Sequence, residues 1–142
     1  MKQNSILTLA SLLSILFMTF HITDDIVRGF EKGGISNLIA VPIFVVWLYG
    51  TLVLAERRSG HVIILLASLL GLVVPILHMM GKSIVSGSIA QSSGGFFFIW
   101  TLIALGVTAL FSVILSVQGL WSLQWGKSKQ SNNPSADGTV AP

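Results

Sequence analysis

Two histidines and two aspartates carry most of the chemistry open to this chain. His21, Asp24 and Asp25 fall within one turn of the tract His21-Ile22-Thr23-Asp24-Asp25. If a helix continues through it, residues three and four apart share a face, so the imidazole and the carboxylates converge. His78 closes a second apolar tract as His78-Met79-Met80. Two imidazoles with a carboxylate form a donor set for divalent Zn, Mn or Fe, and His21, Asp24, Asp25 and His78 are the candidate metal ligands. Met18, Met79 and Met80 beside the same histidines would suit Cu(I) instead. Two imidazoles from separate helices could serve as axial ligands to haem. A carboxylate–imidazole group at a membrane face could relay protons, or act as acid and base on a lipid or quinone. The plainest expectation is that no cofactor binds, the histidines cap their helices at an interface, and the aspartates open a solvated loop. A shared site requires the two rings within roughly 8 Å of each other, given Zn–N bonds of about 2.0–2.1 Å.

The elements that must position these residues follow from composition. Of 142 residues, 53% are hydrophobic and only 9% charged, with a mean hydropathy of +0.85. Soluble domains carry about 25% charged residues, so an ordinary globular protein, a disordered chain and a nucleic-acid binder are excluded. The eight Lys and Arg are spread too thinly to form a basic face. Without cysteine there is no disulfide, thiolate ligand or cysteine nucleophile. The chain also lacks the H-E-x-x-H, G-x-S-x-G and phosphate-cradling glycine motifs.

Four apolar runs approach the roughly 17 to 25 residues needed to cross a bilayer: 6–22, 38–55, 62–80 and 96–123, none of which holds a formal charge. The expected fold class is all-α: an integral membrane four-helix bundle of two antiparallel hairpins running up-down-up-down, with residues 1–125 as one transmembrane domain. The segment 126–142 lacks apolar content and is expected to be a disordered cytoplasmic tail. The first run has no A-x-A cleavage pattern and reads as an uncleaved helix rather than a secretory signal. Lys2, Arg57, Arg58, Lys127 and Lys129 collect on one side against Arg28, Lys32 and Lys82 on the other, which places both termini in the cytoplasm. A multi-pass protein of the cell membrane follows, with a bacterial inner membrane as its expected setting.

Small residues mark faces where helices approach closely in lipid. Ala104, Thr108, Ser112 and Ser116 recur every fourth residue, as do Ala67, Gly71 and Pro75, with His78 three further on. Thr8, Ser11, Ser14, Met18 and His21 form a third stripe. The function these features favour is a small accessory, scaffold or sensor-type component acting through helix contacts. Its expected partners are the bilayer and either a second copy or another membrane protein, met through Ala104, Thr108, Ser112 and Ser116. The alternative is a membrane enzyme, or a metal- or haem-handling protein, using the His/Asp group at the outer face.

Overall fold

The computed structural model describes residues 2–29, 33–80 and 94–131. They form an all-helical chain: α1 (Lys2–Val27), a short 3₁₀ helix η1 (Ile35–Ile39), α2 (Ala40–Leu52), α3 (Arg58–Met80) and α4 (Gly95–Ser131). Three of the helices are long and apolar enough to cross a membrane, over Asn4–Val27, Arg58–His78 and Gly95–Gln124. The second run departs from expectation, because α2 has 13 residues and spans only about 20 Å at about 1.5 Å per residue. Its C-terminus closes on Tyr49 O, which accepts from the N–H groups of both Val53 and Leu54. Pro42 sits in its first turn, where a missing N–H costs little.

Helix α1 also exceeds its expected span. It carries Asp24 and Asp25 in helical conformation and ends beyond them at Val27, so the aspartates do not open a solvated loop. At the other end of the chain, α4 continues to Ser131, six residues past Trp125, and takes in the start of the expected tail. Lys and Gln are good helix formers and can propagate a helix already nucleated by an apolar stretch. Residues 81–93 and the tail residues 132–142 lie outside the described residues.

A common periodicity runs through the three long helices. In α1 the series Leu7, Ser11, Ser14, Met18, His21 and Asp25 is buried, with Ala10 beside it; in α4 the series Phe98, Leu102, Leu105, Ala109, Ser112 and Ser116 is buried, with Thr101 beside it. In α3, His61, Ile64 and Ser68 are buried, followed on the same face by Gly71, Pro75 and His78. Steps of three and four alternate throughout, which is the seam of helices packed with knobs into holes. α4 lies along both α1 and α3, and α2 leans on α3 and α1. The closest approaches fall at glycines: a Cβ at Gly50 of α2 would lie 2.6 Å from Ile63 of α3, whereas at Gly71 it would meet Ala109, Trp47 and Leu105 at an ordinary 3.5–3.6 Å. The stripe expected to greet a partner is part of this interior. Ser112 and Ser116 are fully buried within the chain and Ala104 and Thr108 half-buried.

Halfway along, polar side chains form a closed circuit. Trp47 Nε1–H donates to Ser11 Oγ at 2.9 Å, and Thr51 Oγ1 donates to Trp47 O at 2.8 Å. The 2.7 Å contact between Ser11 and Thr51 is therefore a donation from Ser11. This circuit ties α2 to α1.

Candidate metal centre

The seam spacing brings the chemistry together at one end of the molecule. His21 and Asp25, four apart and consecutive on the α1 seam, meet with His21 Nε2 3.3 Å from Asp25 Oδ2. His78, the last seam position of α3, brings its Nε2 to 3.8 Å from the same oxygen. The two imidazole rings lie edge to face with centroids 4.7 Å apart, well inside the roughly 8 Å that a shared ligand requires. One donor atom from each of the three residues lies within 4.8 Å of the others. Tetrahedral bonds of about 2.0–2.2 Å would place such donors roughly 3.3–3.6 Å apart, so the widest pair would close by roughly 1.2–1.5 Å around an ion.

Asp24 does not join them. It lies off the seam, and its Oδ2 accepts from Arg28 Nε at 2.7 Å, an i,i+4 ion pair on the flank of α1. The Arg28 guanidinium reaches over the Phe98 ring, 5.9 Å from its centroid. Phe98 in turn packs against His21 and His78, with centroid separations of 5.5 and 5.7 Å. Gly94 leaves room for this arrangement: its φ of +135° suits glycine alone, and a Cβ would fall 2.5 Å from Arg28 Nη2.

The hydrogen bonds of the histidines define what the cluster can do. His78 Nδ1 lies 2.9 Å from Val74 O, and a carbonyl only accepts, so Nδ1 carries the proton. In the neutral ring, Nε2 then presents a lone pair toward the Asp25 carboxylate, and a cation or a proton must lie between two such acceptors. Backbone anchoring of the far nitrogen is also how metal-binding histidines are held in the correct tautomer. His21 differs: its Nδ1 is buried and has no hydrogen-bond partner. His61, the third histidine, donates Nδ1–H to Arg57 O at 3.0 Å at the opposite end of α3. It packs against Gly119, where any Cβ would overlap its ring, and this is a packing role.

The same geometry sorts the candidate cofactors. Asp25 Oδ2 sits between the two Nε2 atoms, and rings 4.7 Å apart leave no slot for a porphyrin. A carboxylate in the donor set favours Zn, Mn or Fe(II) over Cu(I). Met18 lines the adjacent cavity, while the side chains of Met79 and Met80 lie outside the described residues.

A cavity of about 410 Å³ adjoins the cluster, lined by Met18, His21, Ile22, Asp25 and, across from them, Ile39, Ala40, Ile43 and Phe44, with Val74 and His78 completing it. Sequence reasoning missed two parts of this setting: the η1–α2 wall and the Phe98–Arg28 cover. The alternating three-and-four seam through Phe98 was the signal for the latter; the former had none, because it depends on where η1 packs. No family model, curated protein or solved structure matches the chain.

Proposed function

We propose that the chain is a small polytopic membrane protein that holds one divalent transition-metal ion, of the zinc, iron(II) or manganese class, between His21, Asp25 and His78. The observation that carries this reading is the convergence of two imidazole nitrogens on one buried carboxylate oxygen at 3.3 and 3.8 Å. With three protein donors, a coordination position stays open, as in working rather than purely structural zinc sites. An ion there would supply Lewis-acid polarisation or an activated water.

In this reading α1, α3 and α4 cross the bilayer. η1 and α2, roughly 30 Å together at about 2.0 and 1.5 Å per residue, make the fourth crossing of an up-down-up-down bundle. The excess of Lys and Arg at the opposite end supports an extracytoplasmic metal centre with both termini in the cytoplasm. In intact cells of cysteine variants, an impermeant thiol reagent should label Ser88→Cys and spare Ser59→Cys; the reverse pattern overturns the orientation.

The metal reading is tested by equilibrium dialysis of the detergent-purified chain against zinc. One ion per chain is expected, and none in His21→Ala or His78→Ala. A wild-type chain that retains no ion leaves the accessory role through helix contacts as the function.

A further inference from the structure

The cavity beside the metal centre has a polar floor and apolar walls. His21, Asp25 and His78 lie on one side, and Met18, Ile22, Ile39, Ala40, Ile43, Phe44 and Val74 supply the remainder. Its rim is apolar as well: Ile39 is 73% and Ile43 48% exposed, and on the membrane reading above it would face lipid. A site open to water would instead carry polar residues at its mouth. The volume falls within the about 300–1,000 Å³ of small-molecule sites, and Ala40 is the small side chain that keeps it open.

Charge selects what would enter. A divalent ion beside the single Asp25 carboxylate leaves the centre with one net positive charge, because Arg28 is already neutralised by Asp24. A net charge in apolar surroundings is costly unless paired, so the open coordination position calls for a monoanionic oxygen ligand.

We infer that the cavity takes a single-chain lipid whose monoanionic oxygen head, a fatty carboxylate or a lipid phosphodiester, sits on the metal at His21, Asp25 and His78 while its chain lies along Ala40, Ile43 and Phe44. This rests on the metal reading above. The chain enters sideways from the bilayer between α1 and α2.

The test uses the full chain in dodecyl maltoside, loaded with Co(II), whose visible absorption responds to the ligand in its open position. Dodecanoate should shift the spectrum at least about tenfold more tightly than acetate, since its chain buries methylenes; dodecyltrimethylammonium should leave the spectrum unmoved. Lauroyl-lysophosphatidylglycerol, compared with dodecanoate, tells which head is preferred. Ala40→Phe, and separately Ile43→Trp, should keep the Co(II) spectrum of the free site and lose the advantage of dodecanoate over acetate. If Co(II) binds but dodecanoate and acetate are equivalent, or the advantage survives both substitutions, the lipid site is overturned and the metal centre stands. If Co(II) does not bind, both are overturned.

Discussion

Two buried polar groups in this molecule, one midway along α1 and one near its end, contrast sharply. In the Ser11–Trp47–Thr51 circuit the indole N–H, both hydroxyls and the Trp47 carbonyl answer one another within 2.9 Å. Nothing further is needed, and the circuit fastens α2 to α1. At the end of α1 the same kind of seam position holds His21 and Asp25. There, two imidazoles crowd one carboxylate oxygen, and the buried Nδ1 of His21 finds no partner. A closed hydrogen-bond circuit stabilises a fold, whereas a buried ring nitrogen without a partner, beside a cavity and next to a carboxylate, leaves bonding capacity for a further group. The difference separates structural polarity from functional polarity.

The most severe break of that comparison is Asp25→Ala. It should weaken zinc binding by more than about 100-fold, beyond the about 10- to 100-fold typical of outer-sphere partners, as read by competition with a chromophoric chelator. The thermal midpoint of the metal-free protein should fall by no more than the loss of one buried ion pair or hydrogen bond would cause, about 1–3 kcal/mol. Loss of folding in its place would make Asp25 a structural residue like Ser11.

Next in size is Ser112→Leu. Ser112 is fully buried on the α4 seam, and overpacking such a site costs about 1–3 kcal/mol; Ile114→Leu, on an exposed face, should stay within about 0.5 kcal/mol. Thermal unfolding in detergent measures both.

Ser11→Ala leaves the Trp47 N–H without an acceptor and should cost about 1 kcal/mol of stability, while zinc affinity stays at the wild-type value. A change in zinc affinity here would couple the two regions and dissolve the distinction. A smaller loss is expected of Asp24→Asn, which removes no ligand but leaves the Arg28 charge uncompensated beside the centre: zinc affinity should fall by less than the about 100-fold of an outer-sphere partner.

Much of this was legible in the sequence, and the exceptions have physical causes. The long helices follow from charge-free apolar runs, and His21, Asp25 and His78 were the residues whose chemistry stood out. Asp24 was indistinguishable from Asp25 because helical spacing alone places both near His21. The 3.5-residue seam, which includes Asp25 and omits Asp24, appears only when Leu7 through Asp25 are read as one series of alternating threes and fours. The Ala104–Ser116 stripe was visible as a packing face, but sequence spacing does not say whether its partner is the chain's own α1 and α3 or another molecule. The second run was overestimated because its apolar residues extend into η1 and past Leu52, where hydropathy continues but the α-helix does not. Likewise the η1–α2 wall of the cavity arises from tertiary packing between distant segments, which local patterns do not encode.

The central claim is that His21, Asp25 and His78 hold one ion. X-ray absorption at the zinc edge of the zinc-loaded protein tests it most directly. The expected spectrum has only nitrogen and oxygen neighbours at about 2.0–2.2 Å, with outer-shell scattering from two imidazoles that falls to one in His78→Ala. A sulfur shell, a different number of imidazoles, or a spectrum unchanged in His78→Ala would contradict it.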